Sequence, residues 1–410
     1  MGFLAACRRR YGDAFTVRFV GFGRWVYFAD PETVASIFQA DPDVLLAGEA
    51  RDMLEPVVGP RSVLILDGDE HRRQRRLLLP SFQGSHVRRY GELMREVADE
   101  EIARWPRGRP FPLRPRMQHI TLEVILRAVF GLDAPERRAE LHRRLVRLLD
   151  VAATPLLVPA LARDRGPLSP GRRLARAREA VDDLVFAQIR ERRADPEAGG
   201  RDDVLSLLLG ARDEEGRGLD DEAVRDELMT LLLAGHETTA TGLAWSFERL
   251  VRHPATMERL VAELDGGDGD SEYLDAVIRE TLRVRPVLFD VARKVVKPTE
   301  VAGWSLPQGM LVAPALALVH LDPDAYPNPA AYKPERYADG SPPPRTWIPF
   351  GGGPRSCLGA GFALFEMRVV LRAVLEKLRL RPSRPDDEKP KLRNITVVPA
   401  RGAEVVADLR

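Results

Sequence analysis

The strongest constraint on this chain is a glycine-rich loop that presents one cysteine immediately before a helix. The loop spans residues 350–359 and has the sequence Phe-Gly-Gly-Gly-Pro-Arg-Ser-Cys-Leu-Gly. Its glycines permit backbone angles closed to other residues, so several N–H groups can point at the sulfur of Cys357. Apolar residues recur at helical spacing over 362–371, so the helix dipole and Arg355 are both expected to lower the thiol pKa. The loop therefore predicts a metal-binding thiolate, whereas an isolated cysteine is more often an inert buried residue.

The loop resembles the signature of the cytochrome P-450 superfamily, Phe-x-x-Gly-x-Arg-x-Cys-x-Gly, at every fixed position. Those positions are Phe350, Gly353, Arg355, Cys357 and Gly359. The resemblance implies haem b as cofactor, with Cys357 as the thiolate ligand of its iron, and O2 as co-substrate. It also implies that Phe350, Arg355 and Gly359 contribute to binding the cofactor.

Composition narrows the class of protein. Lys and Arg number 62 against 61 Asp and Glu, a formal net charge of +1, so nothing favours nucleic-acid binding. The two cysteines, Cys7 and Cys357, lie far apart and indicate a reducing compartment rather than a disulfide scaffold. No run reaches about 18 apolar residues, so we expect a cytoplasmic protein without a membrane anchor. The length is that of bacterial family members, which usually begin with a proline-rich stretch, so we expect Met1 not to be the native start.

Most of the chain has helical periodicity, interrupted by short strand-like pieces. Residues 15–20 and 25–28 alternate with period two across Gly21-Phe-Gly and predict a hairpin. Apolar spacing predicts helices at about 85–105, 116–130, 136–150, 170–193 and 221–250. Short pieces around 298–314 and 395–407 predict small sheets. These proportions fit the P-450 fold, a mainly α protein with small β-sheets, which we expect to form a single large domain over residues 1–410 and a monomer.

The predicted helix at 221–250 carries polar groups in apolar surroundings. Within residues 234–239, Ala-Gly-His-Glu-Thr-Thr, a glycine and a threonine both weaken a helix, so we expect it to be loosened there. The segment resembles the family's acid–alcohol pair, in which Glu237 would relay protons and Thr238 would hydrogen-bond dioxygen. Taken alone, such residues are more often a threonine bonded back to its own helix and a carboxylate on a solvated face. His236 is expected to be structural.

Two further motifs resemble family patterns that hold the fold together. Residues 280–283, Glu-Thr-Leu-Arg, resemble the Glu-x-x-Arg motif, and residues 334–337, Pro-Glu-Arg-Tyr, resemble the Pro-Glu-Arg-Phe segment with tyrosine in place of phenylalanine. The resemblance implies that Glu280, Arg283 and Arg336 form a buried charge network that fixes the cysteine loop.

Haem carries two propionates, which need cationic partners that stay charged when partly buried. Residues 68–76 resemble the bacterial Gly-x-x-His-x-x-x-Arg-Arg motif, which places His71 and Arg75 on one helix face. The resemblance adds Arg293 and Arg355 to the propionate contacts. The remaining arginines of the segment form either a solvated basic face or a docking surface for an acidic redox partner, and these are Arg72, Arg73 and Arg76.

The resemblance implies a haem-dependent monooxygenase that inserts one oxygen atom of O2 into a C–H bond by hydroxylation or epoxidation. The chain has no Gly-x-Gly-x-x-Gly fingerprint and no length for a fused reductase, so electrons would come from NAD(P)H through a ferredoxin or flavodoxin with its reductase. Three alternatives remain: a peroxide-driven peroxygenase, a haem-thiolate isomerase or dehydratase, and, outside the enzymes, a haem-based gas sensor or binding protein. The acid–alcohol pair favours the monooxygenase.

The substrate is expected to be a lipophilic small molecule such as a terpenoid, steroid, fatty acid or polyketide, because the predicted pocket is mostly apolar. The segments expected to form its walls include residues 44–66 and 151–175. The individual positions expected to line it are Leu232, Ala234, Leu288, Phe289, Ile395 and Thr396.

Overall fold

The computed structural model describes residues 2–20, 23–152, 169–267, 271–338 and 343–410, which form mostly helices with four small sheets. The helices are α1 (Gly2–Tyr11), α2 (Pro31–Gln39), α3 (Glu55–Val58), α4 (Gly68–Leu78), α5 (Ser85–Arg89), α6 (Gly91–Ala103), α7 (Leu113–Ala128), α8 (Pro135–Ala152), α9 (Pro170–Ala194), α10 (Val204–Gly210), α11 (Asp221–Arg252), α12 (Pro254–Asp265), α13 (Glu272–Val284), α14 (Leu316–Val319), α15 (Glu335–Ala338) and α16 (Ala360–Lys377). Short 3-10 helices occupy Glu49–Leu54, Leu79–Phe82, Ala198–Gly200 and Gly353–Arg355.

The strands are β1 (Ala14–Phe19), β2 (Gly23–Phe28), β3 (Leu45–Leu46), β4 (Pro110–Pro112), β5 (Arg293–Val295), β6 (Thr299–Val301), β7 (Trp304–Leu306), β8 (Leu311–Pro314), β9 (Leu378–Pro382), β10 (Pro390–Arg393), β11 (Thr396–Pro399) and β12 (Glu404–Leu409). They form sheets of order β1-β2-β8-β5-β3, β4-β12-β9, β10-β11 and β6-β7. In the first sheet β1 and β2 are antiparallel, whereas β2 and β8 are parallel.

The long helix α11 is the centre of the fold. Its first turn is fixed by Asp220, whose side chain accepts the N–H of Ala223. Every residue from 239 to 251 is buried, as expected for a helix that crosses the core. The neighbours that pack against it include α7, α9, α13 and α16.

The helix α11 is uninterrupted at Gly235, so the expectation that it is loosened there is wrong. The glycine has a different use, because a Cβ at this position would lie 3.2 Å from the Cδ1 atom of Ile125 on α7. The small residue therefore allows α7 to pack closely against the middle of α11.

The main elements predicted from the sequence are confirmed. The hairpin is β1–β2, although its turn residues 21–22 lie outside the described part of the chain. The predicted helix at 85–105 is divided at Tyr90 into α5 and α6, and the other four predicted helices correspond to α7, α8, α9 and α11. Both segments expected to form small sheets contain paired strands. Among the described residues, no helix is sufficiently long and apolar to cross a bilayer.

Candidate functional site

The cysteine loop packs against the end of α2, and this contact requires two of its glycines. A Cβ on Gly352 would lie 2.7 Å from the Cδ2 atom of Phe38, and one on Gly353 would lie 2.0 Å from the Phe38 carbonyl oxygen. Gly351 and Gly353 have positive φ angles of 70° and 64°. Gly352 and Gly359 have ordinary φ angles of −158° and −88°, so the predicted need for special backbone angles is correct at only two of the four glycines.

Cys357 lies at the end of this loop, and its N–H donates to the carbonyl oxygen of Phe350 at 2.9 Å. The side chain borders open space, yet the surrounding protein raises the pKa of the thiol by burial. The N–H of Gly359 and the charges of Arg75 and Arg51 lower the thiol pKa by less than burial raises it. The predicted lowering of this pKa is therefore wrong for the protein alone. A bound metal ion would lower the pKa of the thiol, because a thiol that coordinates a metal is deprotonated.

Four arginines and one histidine gather beside the loop: Arg51, Arg75, Arg293, Arg355 and His71. Burial, assisted by the neighbouring cations, lowers the pKa of Arg293 to about 9. Burial also lowers the pKa of Arg355 to about 10. Burial and the adjacent arginines lower the pKa of His71 to about 3, so its imidazole is neutral at physiological pH and can donate one N–H. The negative charge of Asp67 opposes this effect, because it raises the pKa of Arg51, Arg293 and Arg355.

The residues present fit a haem group. The buried Arg293 and the partly buried Arg51, Arg75 and Arg355 face one carboxylate among the described residues, and they need further anions because an uncompensated buried charge is costly. A pair of propionates would supply two negative charges to the guanidinium groups, and the open thiol beside them would supply an iron ligand. Sequence analysis missed Arg51, which belongs to no motif and lies in the 3-10 helix Glu49–Leu54.

Asp67 connects the cation-bearing segment to the cysteine loop. Its carboxylate accepts the N–H groups of residues 47–49 at 2.9 to 3.1 Å and pairs with Arg355. Gly48 allows this contact, because a Cβ there would lie 2.6 Å from Oδ2 of Asp67. Arg355 is therefore held by a carboxylate. The sequence predicted that Arg355 would lower the thiol pKa, but the arginines that lower it are Arg75 and Arg51.

The predicted charge network is present and reaches the cysteine loop. Two hydrogen bonds of 2.7 Å join the fully buried Glu280 and Arg283, and Arg336 approaches Glu280 at 3.4 Å. Arg283 also donates to the carbonyl oxygen of His320 at 2.8 Å. The Nε2 of His320 accepts the N–H of Ile348, two residues before the loop begins, at 2.9 Å. Burial lowers the pKa of His320 to about 3, which keeps this nitrogen available as an acceptor.

Glu237 on α11 is held by two side chains of α7. Arg114 pairs with its Oε1, and the Nε2 of Gln118 donates to its Oε2 at 2.6 Å. The hydroxyl of Thr238 donates to the carbonyl oxygen of Ala234, four residues earlier. The threonine is therefore bonded back to its own helix, and the carboxylate is anchored to a neighbouring helix instead of lying on a solvated face. Sequence analysis missed Arg114 and Gln118, because nothing local marks them as partners of α11.

His236 is buried and has its Nδ1 at 3.2 Å from the hydroxyl of Thr121. Burial lowers its pKa to about 3, so it is neutral at physiological pH. These contacts fit the predicted structural role.

Only some of the predicted pocket positions lie beside open space. Ala234 is exposed although it lies in the middle of α11, so this face of the helix borders open space. Leu232 is fully buried in the core, and its assignment to the pocket wall is wrong. The partly exposed Leu231 lies on the face of Ala234 instead, three residues away. Leu288 and Phe289 are half-buried, Ile395 is exposed and Thr396 is buried. Of the segment 151–175, residues 153–168 lie outside the described part.

The arginines of α4 are not a uniformly free basic face. Arg73 pairs with Asp213, and the exposed Arg72 pairs with Asp69. Arg76 is exposed. Two of the three charges are therefore partly neutralised by carboxylates.

Comparison with known proteins identifies the family of this chain. The family model described as cytochrome P450 matches residues 2–406. The chain belongs to the cytochrome P450 family. Membership brings haem, iron and the use of O2, and members of the family generally receive electrons from redox partners.

Relatives of this P450 include two provisionally named proteins of Mycobacterium tuberculosis. Cytochrome P450 135B1 is 46% identical over 410 residues, which cover 98% of this chain and 86% of the relative. Cytochrome P450 138 is 41% identical over 399 residues, which cover 97% of this chain and 89% of the relative. Among solved structures, the haem domain of cytochrome P450DA matches with a TM-score of 0.86 and 25% identity, covering 100% of this P450 and 92% of that chain. Retinoic acid-bound cyanobacterial CYP120A1 shares the fold, with a TM-score of 0.85 and 23% identity. The match covers 100% of this P450 and 94% of that chain.

Proposed function

We propose that this P450 is a monooxygenase that inserts one oxygen atom of O2 into a C–H bond of a lipophilic small molecule, by hydroxylation or epoxidation. Its electrons come from NAD(P)H through a separate ferredoxin or flavodoxin with its reductase. The observation that supports this most is the position of the Cys357 thiol beside a cluster of buried and partly buried cations, because one site then offers both an iron ligand and partners for two carboxylates.

The roles follow from these positions. Cys357 would bind the iron, and Phe350 and Gly359 shape the loop around its sulfur. The residues that would hold the propionates are His71, Arg75, Arg293, Arg355 and, in addition, Arg51. When bound, haem supplies the iron at which O2 is activated. Glu280, Arg283 and Arg336 hold the loop in position through His320.

Glu237 and Thr238 handle protons. The hydroxyl of Thr238 can accept a hydrogen bond from a water molecule while it donates to the carbonyl oxygen of Ala234, because its oxygen has two lone pairs. Glu237 carries protons toward this hydroxyl, and it does so after releasing Arg114 and Gln118, which hold both of its oxygens.

The lipophilic character of the substrate follows from the apolar groups beside Ala234. Leu231 and Ala234 border the open space on this face of α11, and Leu288 and Phe289 are half-buried apolar residues of the segment that leads to Arg293. A pocket of this composition binds its ligand mainly by burying apolar surface.

Carbon monoxide binding to the reduced protein tests the iron ligand. We expect the wild type and the Cys7→Ser control to show the far-red-displaced Soret maximum that marks thiolate ligation, and Cys357→Ser to lose it. An unaltered spectrum in Cys357→Ser would remove the basis of the proposal.

Turnover distinguishes the monooxygenase from the alternatives. A panel of terpenoids, steroids, fatty acids and polyketides is screened for a shift of the iron spin state. Hits are then assayed with NADPH, a ferredoxin and its reductase, or with hydrogen peroxide alone. We expect oxygenated product with the electron-transfer proteins. Product formed only with peroxide would favour the peroxygenase, and an isomerised product without added oxygen would favour the isomerase.

A further inference from the structure

A pocket lies at the start of α7 and includes the arginine that holds Glu237. Its volume is about 400 Å³, and it is lined by the start of α7, the hairpin β10–β11 and the turn that follows. Four cationic residues line it, namely Arg114, Lys391, Arg393 and Arg401. Apolar surface is supplied by residues that include Pro112 and Leu392, whose side chain is 56% exposed.

The pocket has an excess of positive charge. Arg401 is partly compensated by Glu388, with its Nε 3.7 Å from the carboxylate. Lys391 and Arg393 are exposed, and within the described part of the chain their side chains have no hydrogen bond or ion pair. No carboxylate is among the described residues that line the pocket. An anion entering it would therefore meet two uncompensated cations.

Arg114 links this pocket to α11. Its side chain is only 8% exposed, and one of its Nη atoms pairs with Glu237. The N–H on its Nε is buried and has no acceptor within the described part of the chain. A buried donor without a partner is destabilising, so Arg114 can gain from a second acceptor.

We propose that this pocket binds an organic anion, a carboxylate with an apolar body, which shares Arg114 with Glu237. The carboxylate lies against Arg114, Lys391 and Arg393, and the apolar body covers Leu392 and Pro112. Because the bound carboxylate and Glu237 carry like charges and share one guanidinium group, the bound anion weakens the contact between Arg114 and Glu237. The ligand thereby favours release of the carboxylate that handles protons, a consequence that rests on the proposed function.

Calorimetric titration of the purified protein with decanoate tests the site. Clotrimazole, an azole that ligates haem iron, is present to fill the haem-side cavity, so that the titration reports the outer pocket. We expect one decanoate to bind, decanol to bind at least tenfold more weakly, and Lys391→Ala/Arg393→Ala to weaken decanoate binding about tenfold. The control Arg24→Ala removes an exposed arginine of β2 and is expected to change nothing. Absence of binding, or equal binding by the double variant, would overturn the proposal.

Glu237→Gln tests the sharing of Arg114. Removing the competing carboxylate frees Arg114, so by thermodynamic linkage decanoate should bind about tenfold more tightly to this variant. Unchanged affinity would show that the pocket and Glu237 are independent and would overturn the coupling. Neither titration requires turnover, so a protein that fails as a monooxygenase would still give a decisive result.

Discussion

At the scale of single residues, the site contains positive charges that destabilise one another until an anion joins them. Arg293 is 4% exposed, and burial with Arg51 and Arg355 nearby lowers its pKa to about 9. Its guanidinium group donates a hydrogen bond to the carbonyl oxygen of the adjacent Ala292, at 2.9 Å. Such a residue contributes little to the stability of the haem-free protein and much to the binding of a carboxylate.

Arg293→Gln should therefore separate cofactor retention from folding. We expect haem to dissociate about tenfold faster, because one propionate loses a cationic partner, a change of about 1.4 kcal/mol. The melting temperature of the haem-free protein should stay the same or rise, because a buried cation that repels its neighbours is gone. Haem transfer to an acceptor apoprotein and calorimetry measure the two effects. Arg24→Gln is the control, and an equal rate of haem loss in both variants would contradict the assigned role.

The sequence predicted those residues whose motif specifies them by position. Cys357, Glu280, Arg283 and His71 lie where the motifs place them. Arg51 and Arg114 could not be predicted, because their roles depend on tertiary contacts with Asp67 and Glu237. The thiol pKa was predicted in the wrong direction, because burial is a property of the packed molecule and outweighs the local N–H.

At the scale of elements, the loops need more specific residues than the helices. Gly353 has a φ of 64°, and a Cβ there would lie 2.0 Å from the carbonyl oxygen of Phe38. Gly309 has a φ of 86°, but a Cβ there would meet nothing within 4 Å. The two glycines share the backbone requirement and differ in the steric one. The helices, in contrast, were predictable from apolar spacing, except where Tyr90 separates α5 from α6.

Substitution of each glycine by alanine should separate the cost of the positive φ angle from the cost of the steric contact with Phe38. Gly309→Ala should cost about 1 to 2 kcal/mol of unfolding free energy, the cost of a left-handed residue with a side chain. Gly353→Ala should cost several kcal/mol more and should lose haem, because the cysteine loop must move away from α2. Urea unfolding and the haem content after purification provide the measurements. Equal losses at both positions would show that the contact with Phe38 is not needed.

At the scale of the whole molecule, Arg283 connects parts of the chain that lie far apart in sequence. Besides Glu280, it donates to the carbonyl oxygens of His320 and Pro329 at 2.8 Å and to that of Ala331 at 3.1 Å. Both members of the ion pair are fully buried. Because the acceptors come from two separate segments, one guanidinium group holds α13, the end of α14 and the region before α15 together.

Lysine cannot replace this arginine, because its single ammonium group lacks the planar set of N–H donors. Arg283→Lys should reduce the unfolding free energy by about 3 kcal/mol or more, since buried acceptors and Glu280 lose partners. Arg72→Lys is the matched control, because Arg72 forms an exposed pair with Asp69 at the same spacing of three residues. We expect it to change the unfolding free energy by less than about 0.5 kcal/mol. Similar losses in the two variants by urea unfolding would disprove a special role for the buried pair.

The contacts of Asp67 have a geometric consequence for a bound porphyrin. One carboxylate bonds both to the backbone that leads to Arg51 and to the guanidinium group two residues before Cys357. A single side chain therefore links the segment that carries Arg51 to the loop that carries Cys357. A shift of Asp67 would displace the segment of Arg51 and the loop of Cys357 together, so it would alter the spacing between the residues that would hold the propionates and the thiol that would hold the iron.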